Sequence, residues 1–272
     1  MKICIVSRVD IIETIDTARS IGWILANKGY DVIYENSIAS ELGYTGVDIS
    51  VTSFKSDLIV VVGGDGSILR AVRMLVHQIP IIGINHGSIG FLTDIDRNKA
   101  EDVLLNLSLP LNIDQRMRIN IEHNGKLIGS ALNEAVIVTA RPSKMLKFEI
   151  YIDGNKSGTF RSDGLIISTP TGSTAYAMSA GGPIVDPKIE AFVLVPLAPF
   201  MMSSRAQLIQ SQSKIEVKLV STKPAQLVID GQIQYDIGTE TSLIISKSSD
   251  PALFLNVGKY FFSKVDQKLR YI

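Results

Sequence analysis

The chain has 272 residues, 46% of them hydrophobic, enough for one or two domains with a sizeable core. Lysine plus arginine and aspartate plus glutamate each number 27, and there is no dense basic run. A nucleic-acid partner or an anionic membrane surface therefore has no electrostatic support, and small-molecule chemistry is the expectation. The single cysteine, Cys4, cannot form an internal disulfide, and His77, His86 and His123 are scattered without zinc spacing. No basic segment followed by an apolar region opens the chain, and Pro196 and Pro199 interrupt the most apolar later stretch, Ile189 to Met202. A cytoplasmic protein is expected.

In chain order, Lys2 to Ser7 reads as a strand. Ile11, Ile15, Ala18, Ile21, Ile24 and Leu25 then line one face of a helix that stops near Gly29. Asp31 to Tyr34 is a second strand, followed by a turn-rich segment through Gly43 and Gly46. Leu58-Ile59-Val60-Val61-Val62 is a short, continuous β-branched run, the mark of a strand buried on both faces. Beyond Gly66 the spacing of Ile68, Leu69, Val72, Leu75 and Val76 becomes helical, so Gly63-Gly64-Asp65-Gly66 is a strand-to-helix turn. A strand over Ile79 to Ile84 and a helix from about Asn98 to Leu107 follow.

Strands alternating with helices predict a doubly wound, Rossmann-like parallel sheet, with ligands beyond the carboxyl ends of its strands. Two glycine-rich loops lie at such ends, Gly63 to Gly66 and Asn85 to Leu92. The glycines allow close approach of a ligand to the backbone, and the helix start favours an anion such as phosphate. There is no GK[ST], so the first loop is not a P-loop. A carboxylate inside a phosphate cradle suits a metal ion, or a proton taken from an attacking hydroxyl. Asp65 is thus the candidate base, with capping of the following helix by Asp65 or Ser67 as the alternative.

After about Pro110 short alternating runs separated by turns replace the helix-length segments. Candidate strands are Ile119 to Glu122, Lys126 to Ile128, Ala135 to Thr139, Phe148 to Ile152 and Leu165 to Ser168. Ala191 to Val195, Ile215 to Val220, Leu227 to Ile229 and Leu243 to Ser246 continue the series. They predict an all-β sandwich with one helix starting near Thr174. Phe261, Val265 and Leu269 suggest a closing helix on the first domain. The expected division is 1–108 with about 250–272, and 109–249.

Polar residues gather at four places in the β half: Leu132-Asn133-Glu134, Arg161-Ser162-Asp163-Gly164, Thr169 to Tyr176, and Asp230-Gly231-Gln232. Singly, each has a plain structural reading: a solvated strand end, DG turns, a helix cap at Thr174, a core aromatic at Tyr176. In this order, the motifs GGDGS from 63, NHGSIGFL at 85–92, NE at 133–134, RSDG at 161–164, TPTGSTAYAMSAGGP at 169–183 and DGQ at 230–232 resemble the NAD kinases over most of the chain. GGDG also occurs in lipid kinases of the diacylglycerol and sphingosine type and in phosphofructokinases. The TPTGSTAY stretch joined to NE and RSDG is the specific part.

The resemblance implies phosphorylation of the 2′-hydroxyl of the adenosine ribose of NAD to give NADP. It implies Asp65 as base and Gly63, Gly64, Gly66, Ser67 and Arg70 at phosphate. NAD would contact Asp65, Gly66, Phe91, Asn133, Glu134, Arg161, Asp163, Thr174, Ala175, Tyr176, Ser179, Ala198 and Gln232. The donor would be ATP, another nucleoside triphosphate or polyphosphate, with Mg²⁺ or another divalent cation and no metal ligand assigned among protein residues. Ser67 stands where the family often has Thr, and Leu197-Ala198-Pro199-Phe200 lacks a histidine that many members place near Phe200. The family's habit of sharing its site between subunits implies a homodimer or homotetramer. The run Val193 to Met202, too apolar to lie freely in water, points the same way, with burial inside one domain as the alternative. A lipid kinase and a non-catalytic dinucleotide sensor are the competing readings.

Overall fold

A computed structural model describes residues 1–87, 90–93, 95–107, 109–141, 144–201, 204–258 and 260–269. Ser88 and Ile89 of the second glycine loop, and Met202 of the apolar run, lie outside them. The chain opens with β1 (Lys2–Ser7), α1 (Ile12–Asn27), β2 (Asp31–Tyr34), α2 (Asn36–Leu42) and a 3-10 turn at Ile49–Phe54. Next come β3 (Leu58–Gly63), α3 (Asp65–Met74), β4 (Ile81–Asn85), β5 (Ile95–Asp96), a 3-10 turn at Arg97–Lys99, α4 (Ala100–Leu105) and β6 (Ile113–Arg116). The β-rich part contains β7 (Ile119–His123), β8 (Lys126–Ala131), β9 (Glu134–Thr139), β10 (Leu146–Ile152), β11 (Asn155–Ser162) and β12 (Gly164–Ser168). A 3-10 turn at Thr171–Thr174 and the short α5 (Tyr176–Ser179) precede β13 (Ala191–Leu197), β14 (Gln207–Gln210), β15 (Ile215–Leu219), β16 (Ala225–Ile229), β17 (Ile233–Gly238) and β18 (Ser242–Lys247). The last elements are β19 (Ala252–Leu255) and α6 (Phe261–Leu269).

Contacts divide the chain into two units, Met1–Gln115 with Ala252–Ile272, and Arg116–Pro251. The first holds a sheet in the order β2-β1-β3-β4-β19-β6, with β5 beside β4. The pairs β1–β2, β1–β3, β3–β4 and β4–β19 are parallel. Ile3, Ile5, Leu58, Val60, Val62, Ile82 and Ile84 face one side, against Ala18, Ile21 and Leu25 of α1 and Ala100 and Leu104 of α4. The opposite face meets α3: a Cβ on Gly83 would lie 2.8 Å from the Ile68 Cδ1. Helices on both faces account for the uninterrupted burial of β3. The chain returns to this unit at its end, through β19 and α6.

The second unit is a sandwich of two six-stranded sheets, β11-β10-β15-β18-β7-β8 and β14-β13-β12-β9-β16-β17. Its core alternates along each strand, as Phe148, Leu165, Ile167, Phe192, Leu194, Val217 and Ile245 illustrate. In β12 and β13 the alternation vanishes. Ile166, Val193 and Val195 face the other way and are covered by Ala177 and Val185 of the 171–190 segment.

Several local expectations change. The segment through Gly43 and Gly46 is not merely turns: the Glu35 carboxylate accepts from Ser37 N and caps α2, and Gly43 at φ 75° closes it. The α3 helix ends at Met74, because Leu75 is already extended and Val76 is 54% exposed. The helix expected over 98–107 is a 3-10 turn plus the six residues of α4. The edge strands β11 and β14 are half-exposed and polar and carry no apolar alternation, whereas the edge strand β17 does alternate, through Ile233, Tyr235 and Ile237, and went unread. No helix among the described residues is long and apolar enough to cross a membrane.

Candidate functional site

In the first unit the glycine loop leaves β3 and enters α3. Gly63 sits at φ 155°, and a Cβ there would lie 2.4 Å from Ser67 Oγ, so the turn needs glycine. Gly64 is the helix N-cap and supplies no side-chain bond. Asp65 does not cap α3. Its Oδ2 accepts from Phe91 N at 2.7 Å, and its Oδ1 from Leu92 N at 3.0 Å, Thr93 N at 3.1 Å and Thr93 Oγ1 at 3.3 Å. Three consecutive amides thus hold one carboxylate, and the two glycine loops read from the sequence are joined through it. Gly90 makes this possible, since a Cβ there would stand 1.9 Å from Asp65 Oδ1.

The charges around this loop come from two helices. Arg70, on α3, directs Nη2 to the buried Glu35 at 3.1 Å, so part of its guanidinium is committed. From α6, Lys264 donates to Phe91 O at 3.4 Å, and Lys268 Nζ lies 4.0 Å from the centre of the Phe91 ring. Burial takes the Lys264 ammonium down to about 8, opposed by the charge of Asp65 and aided by that of Lys268. Burial lowers Lys268 too, again opposed by Asp65. Sequence reasoning missed both lysines. The apolar spacing of the closing helix was the signal followed, and it says nothing about the polar residues between. Glycines, a helix start and two lysines make a setting that attracts a polyanion.

In the second unit Asn133 and Glu134 open β9. Asp230, 5% exposed, accepts from Leu132 N at 2.8 Å through Oδ2 and from Asn133 N at 2.7 Å and Glu134 N at 3.0 Å through Oδ1. The carbonyls of the same loop are also taken. Leu132 O accepts from Thr169 Oγ1 at 2.5 Å, Asn133 O from Thr169 N at 2.8 Å and Ser168 Oγ at 3.0 Å, and Glu134 O from Asp230 N at 2.9 Å. Gly172 packs against Asn133 so closely that a Cβ would lie 2.2 Å from Asn133 O. With its backbone saturated, the loop has only its side chains to offer.

Glu134 is buried, and its Oε2 has no hydrogen-bond partner among the described residues. Burial, then the charge of Asp230, raises its carboxyl to about 8. Burial also raises Asp230, against the pull of three amides and of Arg118. The negative charge belongs on Asp230, which has those donors, and the proton on Glu134, which then donates as well as accepts. Thr174 is buried and bonds weakly to Thr171 O, Ala175 is half-buried, and Tyr176 and Ser179 of α5 are exposed. Gln232, exposed, closes the Asp230 turn with its N–H on Ile229 O.

Arg161, Asp163 and Ala198 cluster elsewhere. Asp163 N donates to Leu197 O, Phe200 N to Arg161 O, and Ala198 takes a left-handed φ of 43°. These residues lie at the Gly164 end of β12, whereas Glu134 pairs with Ser168 at the other end. At ~3.4 Å per residue the two ends are about 14 Å apart. Among the described residues no three His, Cys, Asp or Glu side chains converge on a metal position.

Both units match known protein families. The ATP-NAD kinase N-terminal domain family matches residues 3–109, and the ATP-NAD kinase C-terminal domain family matches residues 132–257. An NAD kinase of Methanocorpusculum labreanum is 64% identical over 270 residues, 99% of both chains, and one of Methanoregula boonei is 50% identical over the same span. The crystal structure of an NAD kinase from Archaeoglobus fulgidus in complex with ATP is similar with a TM-score of 0.85 at 32% identity, covering 100% of both chains. Yeast NADH kinase complexed with NADH shares the fold, with a TM-score of 0.87 at 23% identity over 99% of this chain and 87% of that one. These matches run through both units and leave no place for the lipid-kinase or sensor readings: the chain belongs to the NAD kinase family, phosphotransferases acting on NAD.

Proposed function

We propose that the terminal phosphoryl group of ATP, the nucleotide bound by the A. fulgidus relative, or of polyphosphate passes to the 2′-hydroxyl of the adenosine ribose of NAD, with Asp65 as the base. The observation that carries this reading is the posture of Asp65. It opens a helix in a glycine loop, yet its carboxylate is held by the 91–93 amides instead of capping. Oδ2 receives one of those amides and has lone-pair capacity for an incoming hydroxyl. The ribose hydroxyl gives its proton to Asp65 as its oxygen attacks phosphorus in line, and the bond to the leaving phosphate breaks.

Gly63, Gly64, Gly66 and Ser67 would cradle the donor phosphates, with Arg70, Lys264 and Lys268 supplying positive charge. Phe91 would wall the adenine side, and Asn133 and Glu134 would hold the adenosine. A divalent cation, Mg²⁺ in our reading, would neutralise the donor phosphates when bound. With no protein cluster to hold it among the described residues, those phosphates would supply its ligands.

Arg161, Asp163 and Ala198 stand about 14 Å along β12 from Asn133 and Glu134, with Thr174, Ala175, Tyr176, Ser179 and Gln232 at other matched positions. That separation supports a site shared between two copies in a homodimer or homotetramer. The exposed Phe200 and Met201 would be covered by the neighbour. One buried thiol suits a reducing compartment, and we place the protein in the cytoplasm. The test is incubation of pure protein with NAD, Mg²⁺ and either ATP or polyphosphate. NADP is expected with at least one donor and is expected to vanish in excess EDTA. Undiminished turnover in EDTA with metal-free donor would remove the cation from the reading.

A further inference from the structure

Asp230 occupies a position that neither an ordinary turn nor a solvent-facing ligand explains. Its backbone is left-handed at φ 48°, Gly231 follows at φ 64°, and together they make the tight connection between β16 and β17. Such a turn needs no buried carboxylate. Yet the Asp230 side chain is turned inward, 5% exposed, and takes the amides of Leu132, Asn133 and Glu134, about a hundred residues away in the chain. Arg118 lies close enough to support its charge. Arg118 is itself buried, with Nη1 on Asp250 O at 3.1 Å and 3.5 Å from Asp250 Oδ2. Glu134 faces the same carboxylate. The charged groups packed around Asp230 are therefore Arg118, backed by Asp250, and Glu134.

We infer that Asp230 is a positioning residue for NAD: by closing on three successive amides it fixes the direction in which Asn133 and Glu134 present their side chains to the dinucleotide. The inference rests on the reading that Asn133 and Glu134 contact NAD. Asparagine at 230 would keep one acceptor oxygen but turn an N–H₂ toward the N–H of Leu132 or of Asn133 and Glu134, so the three-amide grip cannot survive the change. The same substitution removes the negative charge beside Glu134. Glu134 would then ionise at lower pH, although still held above the ordinary range by burial.

The experiment compares Asp230→Asn, Asn133→Ala and Asp153→Asn with the wild-type protein, in full-length form, with ATP and Mg²⁺ as probe donor. Asp153 is the control. It lies in the same unit at φ 50°, and its carboxylate holds Ser213 Oγ and Lys214 N, away from the 132–134 loop. Asp230→Asn is expected to raise KM for NAD about tenfold or more, with KM for ATP within twofold and kcat at saturating NAD within threefold. The ionisation of Glu134 seen in the pH profile of KM for NAD should move to lower pH. Asp153→Asn should lower the melting temperature while leaving both KM values in place.

A rise in both KM values together, or a loss of melting temperature with KM for NAD unchanged, would reduce Asp230 to a fold-stabilising residue. If Asn133→Ala leaves KM for NAD unchanged, the reading of the adenosine contact fails. If Asn133→Ala raises it and Asp230→Asn does not, the positioning role alone fails. Should Asp230→Asn not fold, Arg118→Met, which removes the charge behind Asp230 and leaves the amides in place, should show the same split at about threefold; an unchanged KM for NAD there overturns the inference.

Discussion

Asp65 and Asp230 each receive three consecutive backbone amides, Phe91 to Thr93 in the α/β unit and Leu132 to Glu134 in the sandwich. The bonding is nearly the same, and the surroundings are not. Asp65 is half-buried at a helix start, with Lys264 and Lys268 near enough to feel its charge, so a substrate hydroxyl can still reach it. Asp230 is buried between Arg118 and Glu134, out of reach of a substrate, so it acts through the loop it grips. A carboxylate closed on a run of amides is thus a way of fixing a loop. Solvent access decides whether it is also a reagent.

The largest test of this contrast is Asp65→Asn. Loss of the base should lower kcat by roughly 10²–10⁴, and because asparagine also loosens the grip on the 91–93 amides, KM for NAD should rise about tenfold as well. Near-normal kcat would make Asp65 a loop clamp like Asp230 and nothing more. Asp65→Asn mixed during refolding with Asp163→Ala comes next in size. Each variant alone should be inactive. If the site is shared, mixed oligomers at equal amounts should recover activity at about a quarter of sites by independent assortment. Confirmed hetero-oligomers that stay at the level of the separate variants would confine the site to one copy.

Two glycines allow each clamp to be disturbed without replacing its carboxylate. Gly90→Ala places a Cβ against Asp65 Oδ1, and Gly172→Ala places one against Asn133 O. The first should reduce kcat about 10–100-fold by misplacing the base, and the second should act mainly on KM for NAD, by roughly tenfold. Identical effects from both would mean that the two clamps do not have separate tasks.

The smallest effect is on stability, and it concerns the sandwich clamp alone. The Glu134 carboxyl at about 8 lies above its ordinary value of 4.5. Between these values the folded protein keeps a proton that the unfolded chain releases. The stabilisation is whole below about 4.5 and lost as pH rises through about 8. Glutamine cannot ionise, so Glu134→Gln should melt higher than wild type at pH 8.5, at about 2–4 °C for each kcal/mol recovered, and converge with it toward pH 5. Equal melting curves at both pH values would show that Glu134 is not held protonated.

The sequence by itself determined the alternation of strands and helices in the first half, the two-sided burial of Leu58 to Val62, the antiparallel character of the second half, and the motifs that carry the family resemblance. These follow from local periodicity and turn chemistry, which a chain displays residue by residue. The edge strands β11 and β14 were invisible because they bury little and do not alternate, and α2 because its cap is the glutamate Glu35, outside the usual Ser, Thr, Asp and Asn set; β17 was legible in Ile233, Tyr235 and Ile237 but was passed over. Only the tertiary structure decided what the aspartates do. Asp230-Gly231 was legible as a turn, and it is one. That the carboxylate also reaches 98 residues back to Leu132 is a contact that no local spacing encodes. The closing helix was read from Phe261, Val265 and Leu269, yet its placement of Lys264 and Lys268 beside Phe91 depends on the chain's return to the first sheet through β19, an element set by long-range pairing with β4. Local sequence supplies propensities and chemical groups; which groups share a loop is settled by packing, where a Cβ more or less at Gly90 or Gly172 decides whether the grip can form.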